Sequence, residues 1–169
     1  MKTKRSIILF FLCASMSIFA QKNIFKGGFV ASGGVNWGLQ YERSVSSHVS
    51  IIGQFGYAKI LDTFNLESST GFGVYVEGRY YFSKVKDLLK GWHGGIYGTY
   101  MNTHYDDVWL DYDQNNLGIG AAGGYQWIFS SHITIDTLIG GGYLRFDSDT
   151  VEGDNGFYPL IGLNLGYNF

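Results

Sequence analysis

The feature that most constrains this chain is strict alternation, clearest in its last stretch, Tyr158-Pro-Leu-Ile-Gly-Leu-Asn-Leu-Gly-Tyr-Asn-Phe169. Side chains on a strand point to opposite faces with period two, so every second residue here shares a face. One face holds Phe157, Pro159, Ile161, Leu163, Leu165, Tyr167 and Phe169, and the other holds small or polar residues such as Gly162, Asn164 and Gly166. A soluble barrel carries its polar face outside. A strand with a wide, aromatic-rich face and a small or polar opposite face fits a bilayer, where only helices and closed barrels satisfy every backbone group.

The same phase recurs along the chain. In one strand Val35, Trp37, Leu39 and Tyr41 face out while Asn36, Gly38, Gln40 and Glu42 face in. In another the outward set is Leu117, Ile119, Ala121, Gly123, Tyr125, Trp127 and Phe129. The expected strands cover roughly 24–31, 34–44, 48–60, 70–82, 91–104, 115–129, 132–146 and 157–169, with the first alternating least clearly. Eight is an even number, as bacterial single-chain barrels require. Abundant Gly, Tyr and Phe with a single Pro suit curved, aromatic-rich strands. The expected fold is all-β, an eight-stranded antiparallel up-and-down transmembrane barrel.

Residues 1–20 read as a secretory signal peptide, with Lys2, Lys4 and Arg5 before an apolar run from Ile7 to Phe19 and cleavage after Ala20. Residues 21–169 then form one barrel domain. Cleavage removes Cys13, the only cysteine, so no intramolecular disulfide is expected; Leu12 before it argues against lipidation. It also removes three of 12 basic residues and none of the 14 acids, which moves the net charge from −2 to −5 (9 minus 14) and argues against a nucleic-acid partner. No remaining apolar run is long enough for a transmembrane helix.

Loop lengths alternate. With Phe169 at the periplasmic end, 61–69, 105–114 and 147–156 become long extracellular connections, and 45–47, 83–90 and 130–131 short periplasmic ones. Both termini are then periplasmic. One echo recurs: Tyr41 followed by Ser46-Ser47-His48-Val49 and Tyr125 followed by Ser130-Ser131-His132-Ile133, which similar turn chemistry explains.

Leu39-Gln-Tyr-Glu-Arg43, Gly78-Arg-Tyr-Tyr-Phe82, Gly91-Trp-His-Gly-Gly-Ile-Tyr97, Gly118-Ile-Gly-Ala-Ala-Gly-Gly-Tyr-Gln-Trp127 and the terminal Gly162–Phe169 carry a resemblance across the mature chain. It resembles the small eight-stranded outer-membrane barrels of OmpA/OmpX type, and more closely an uncharacterised family of similar barrels from Gram-negative bacteria. The resemblance implies an outer-membrane location and, through the C-terminal Phe, the barrel-assembly machinery as a partner in biogenesis. Such families include anchors, integrity proteins, adhesins and a few lipid-modifying enzymes, so fold does not settle function.

Four groups of residues are candidate sites. Glu42, Glu77, Arg79 and Asp136 take the inward phase with His93 nearby, and Lys26 is a further candidate member; buried charges need partners, so a salt-bridge network filling the lumen is expected, with a charge-lined pore as the alternative. Asp106, Asp107, Asp111, Asp113, Asp147, Asp149, Glu152 and Asp154, with Asp62 and Glu67, make the long loops acidic and are candidates for divalent cations, although Asp147-Ser-Asp149-Thr-Val-Glu152 departs from the calcium-loop pattern. Lys59 and Arg145 lie on the lipid-facing phase near outer strand ends, placed to snorkel towards lipopolysaccharide phosphates. His104 with Asp106 or Asp107, approached by Ser148, is the one cluster with catalytic elements, and it lacks a triad signature. Trp37, Tyr57, Tyr100 and Tyr143 suit an outer aromatic girdle, and Tyr41, Tyr80, Trp92, Trp127, Tyr167 and Phe169 an inner one. The expected protein is a monomeric, non-enzymatic barrel without cofactor, structural, anchoring or surface-interacting, with a small-solute pore as the alternative.

Overall fold

A computed structural model describes residues 22–61, 68–83, 89–106, 111–129, 132–148 and 155–169. The expected signal peptide lies outside them. Eight strands, β1 (Asn23–Ala31), β2 (Val35–Ser44), β3 (Val49–Leu61), β4 (Ser68–Tyr81), β5 (Gly91–Asp106), β6 (Asp111–Phe129), β7 (Ile133–Ser148) and β8 (Gly156–Asn168), pair in sequence order and antiparallel. β1 pairs with β8 and closes the barrel, which leaves no strand edge unpaired.

The register defines the barrel's geometry. Followed from Ile24 through Glu42, Ile52, Glu77, Tyr97, Gly120 and Gly142, it arrives at Tyr158, whereas Ile24 pairs directly with Asn168. The difference of ten residues (168 minus 158) is the shear. With about 3.3 Å per residue and about 4.8 Å between strands, that shear tilts the strands by about 40°, so one residue climbs about 2.5 Å along the axis and one strand step about 3 Å.

Burial follows the alternation. The outward residues of β8 from Phe157 to Tyr167, and Phe169 just after it, are exposed while Leu160, Gly162, Asn164 and Asn168 are buried. Twelve residue steps at this tilt give an apolar band about 30 Å tall, the thickness of a bilayer's hydrocarbon core. On the same geometry Trp37, Tyr57, Tyr100 and Tyr143 form a belt about 20 Å above the level of Tyr80, Trp92, Trp127 and Tyr167. In β1 the even residues turn inward, with Ile24, Lys26 and Val30 buried and Phe25 exposed, which resolves the phase that alternation alone left open.

Three connections are shorter than the sequence suggests, because β4 begins at Ser68, β5 runs to Asp106, β6 starts at Asp111 and β7 reaches Ser148. The expectation that Asp106, Asp111, Asp113 and Asp147 lie in loops is therefore corrected: all four sit on strand extensions that pair beyond the apolar band. Their polar side chains carry no apolar alternation, although the backbone ladder continues through them. Asp62, Glu67, Asp107, Asp149, Glu152 and Asp154 lie outside the described residues, as does the second half of the serine echo, Ser130-Ser131.

Candidate functional site

Alternation sends one residue in two into the lumen, and the shear decides which of them meet. Lys26 on β1, Glu42 on β2, Arg79 on β4, His93 on β5 and Asp136 on β7 belong to different rows of the register, yet the tilt brings them within about 3 Å of one height, with Glu77 about 5 Å higher. All six are buried. They form one network centred on Asp136. Its Oδ2 accepts from Lys26 Nζ and from Arg79 Nη1, both at 2.8 Å, and its Oδ1 lies 3.1 Å from His93 Nε2.

The second carboxylates complete the pairing. Lys26 Nζ lies 2.6 Å from Glu42 Oε2, and Arg79 Nε lies 2.8 Å from Glu77 Oε2. Hydroxyls add further donors: Ser50 and Tyr81 to Glu42 Oε1 at 2.6 and 2.7 Å, and Tyr75 to Glu77 Oε2, the oxygen that also faces Arg79, at 2.8 Å. Lys26 also donates to Gln126 Oε1 at 2.6 Å, whose amide in turn donates to the Leu89 carbonyl at 2.6 Å. Two cations thus face three carboxylates, and His93 donates to Asp136 in the tautomer that carries the Nε2 proton.

Apolar layers flank the charges. Towards the long-loop end lie Val30, Tyr75, Tyr97, Ala122, Leu138 and Leu160, with Tyr75 and Tyr97 stacked at 5.4 Å. Towards the termini lie Ile24, Tyr81 and Leu89 with Ile128 packed against them. Glycine makes the room for these rings. A Cβ at Gly124 would stand 1.9 Å from the Thr137 carbonyl and 2.9 Å from the His93 ring, and one at Gly142 would stand 2.6 Å from the Tyr97 hydroxyl.

Sequence reasoning placed Glu42, Glu77, Arg79 and Asp136 in the lumen, and the structure joins His93 and Lys26 to them directly. It passed over Gln126, Ser50 and Leu89. The first two take the inward phase and were legible in principle. Leu89 was not, because it sits in the β4–β5 turn with φ 67°, a left-handed conformation costly for a branched side chain, and aims its side chain up into the barrel.

The remaining candidates separate. His104 Nδ1 lies 2.9 Å from Asp113 Oδ1 across the β5–β6 ladder, both side chains more than half exposed, and Asp107 lies outside the described residues. Ser148 faces Gln114 on the lumen-facing phase, on the other side of the wall from that pair. Lys59 is half-buried on β3 and Arg145 exposed on β7, four strands apart on opposite flanks of the barrel. Among the described residues no group of three or more His, Cys, Asp or Glu is placed to hold a metal ion. The serine echo has a structural counterpart: His48 stacks on Tyr80 at 5.7 Å and His132 lies against Tyr167 at 5.3 Å, each beside the Tyr that pairs with the next residue.

The architecture has solved counterparts. The N-terminal β-barrel domain of Pseudomonas aeruginosa OprF is 14% identical, with a TM-score of 0.56 over 88% of this chain and 97% of that one. Neisserial surface protein A is 12% identical, with a TM-score of 0.54 over 88% and 94%. At such identities the likeness establishes the fold, that of the small eight-stranded outer-membrane barrels. No curated protein sequence matches the chain. A family model described as "Protein of unknown function (DUF3575)" matches residues 6–158, and the chain belongs to that family.

Proposed function

We propose that this protein is a monomeric integral barrel of the outer membrane with a sealed lumen, acting as a structural, anchoring or surface-interaction element rather than as a pore or an enzyme. The observation that carries the reading is the position of the charge cluster between two apolar layers. A conducting constriction must offer its charges to passing ions and water. Here Lys26, Glu42, Glu77, Arg79 and Asp136 are buried and bind one another. The long-loop end faces the exterior and both termini the periplasm, in keeping with short periplasmic and long extracellular connections. Phe169, exposed on the lipid-facing phase, is the residue the barrel-assembly machinery would read. The non-enzymatic reading is supported by the separation of Ser148 from His104 and Asp113 on opposite faces of the wall.

Planar-bilayer recording of the purified, folded barrel tests the proposal. The wild-type protein is expected to give no stable unitary openings. Stable openings altered in Glu77→Ala or Arg79→Ala would establish the pore instead.

A further inference from the structure

On the outer wall a groove of about 780 Å³ crosses β4 to β7 in the half of the barrel nearer the long loops. Gly78 and Gly98 take the outward phase and form its floor: a Cβ at Gly78 would meet nothing within 4 Å, and one at Gly98 only the Gly118 carbonyl at 3.8 Å. Val76, Ile96, Ile119 and Tyr143 form its walls, and the register sets Val76 and Ile119 on either side of Gly98. The lining is apolar until Arg145, which sits at the upper end across the ladder from Leu117.

Arg145 stands where the wall changes character. Beyond it the outward positions are Asn102, Asn115, Asp113 and Asp147, and Tyr100 donates to Asn115 Oδ1 at 2.7 Å from just beneath. The side chain is 69% exposed, and its ion pair with Asp147 is long at 3.8 Å. A cation at the edge of the apolar band lies at headgroup depth, where its planar fork matches phosphate oxygens.

We propose that this groove is a lipid-binding site, holding one acyl chain of a lipopolysaccharide molecule against Gly78 and Gly98 while Arg145 binds a phosphate of its headgroup. The choice of lipopolysaccharide rests on the reading that the long-loop end faces outward, because that leaflet carries it. Bulk lipid is as apolar as the groove, so chain burial adds only packing, and the charge-assisted contact at Arg145 supplies the selectivity.

The folded barrel in zwitterionic detergent micelles, titrated with lipopolysaccharide, phosphatidylglycerol or phosphatidylcholine and read by native mass spectrometry, tests this. One lipopolysaccharide per barrel is expected. Arg145→Gln and Gly98→Leu should each weaken it about tenfold, a change on the order of one charge-assisted contact or one filled groove. Gly78→Leu, which also has open space for its side chain, should do the same, and Gly53→Leu, on β3 outside the groove and likewise with nothing within 4 Å of its Cβ, should bind as wild type. Heat-modifiable gel migration verifies that each variant is folded. Wild-type binding by folded Arg145→Gln and Gly98→Leu overturns the site, and phosphatidylglycerol binding as tightly as lipopolysaccharide overturns its occupant. Micelles have no sidedness, so a wrong orientation would surface separately, as loops resistant to added protease on intact cells.

Discussion

Arg79→Met tests the lumen network most directly, because it removes a cation and keeps most of the side chain's volume. Arg79 lies 2.8 Å from both Glu77 Oε2 and Asp136 Oδ2 and is buried. After the substitution Asp136 keeps Lys26 and His93, but Glu77 keeps only the Tyr75 hydroxyl. A buried carboxylate stripped of its partner costs about 3–5 kcal/mol. Asp136→Asn is expected to cost less, since Lys26 retains Glu42 and Arg79 retains Glu77. With a guanidinium m-value of about 4 kcal/mol per molar, the Arg79→Met loss lowers the unfolding midpoint by about 1 M, followed by tryptophan fluorescence in vesicles. The double variant Arg79→Met, Glu77→Gln removes both charges and should recover about 2 kcal/mol or more, a coupling that a double-mutant cycle isolates. If the two single costs simply add, or if Arg79→Met shifts the midpoint by less than about 0.2 M, the buried charges do not form a coupled network.

Other outcomes follow from the same geometry. Leu89→Ala should cost about 2 kcal/mol through lost packing against Ile24 and Tyr81, visible as a lower midpoint in the same titration. Gly124→Ala, whose Cβ would meet the Thr137 carbonyl at 1.9 Å, should destabilise by about 2 kcal/mol or fail to fold, whereas Gly53→Ala, with nothing within 4 Å, should be neutral or gain up to about 0.5 kcal/mol. His104→Ala removes an exposed pair with Asp113 and should change stability by less than about 1 kcal/mol. Any phospholipase or deacylase activity present in the wild type and lost in that variant would reverse the non-enzymatic reading.

Alternation made the fold legible because a lipid-facing wall and a packed lumen impose opposite chemistries on successive residues. β2, β6 and β8 carried that contrast throughout. It blurred in β1, where Ile24 and Val30 face in while Phe25 faces out, so apolar residues stand on both sides. It also ended too early at the long-loop end, where Asp106, Asp111, Asp113 and Asp147 are polar yet belong to paired strands. Backbone hydrogen bonds hold those extensions, and side-chain pattern does not report them. Leu89 escaped for a related reason, since a turn residue with a positive φ has no period to read.

The sequence by itself determined which face each residue takes, because period two is local: knowing that Arg79 and Asp136 point inward needs only their own strands. Which inward residues touch was decided by the tertiary structure. Lys26 meets Asp136 across a separation of 110 residues, and Arg79 meets it across 57. Closure of eight strands with a shear of ten tilts every strand, so residues on different register rows rise or fall to a common height. The shear is a property of the closed ring, and no single strand encodes it.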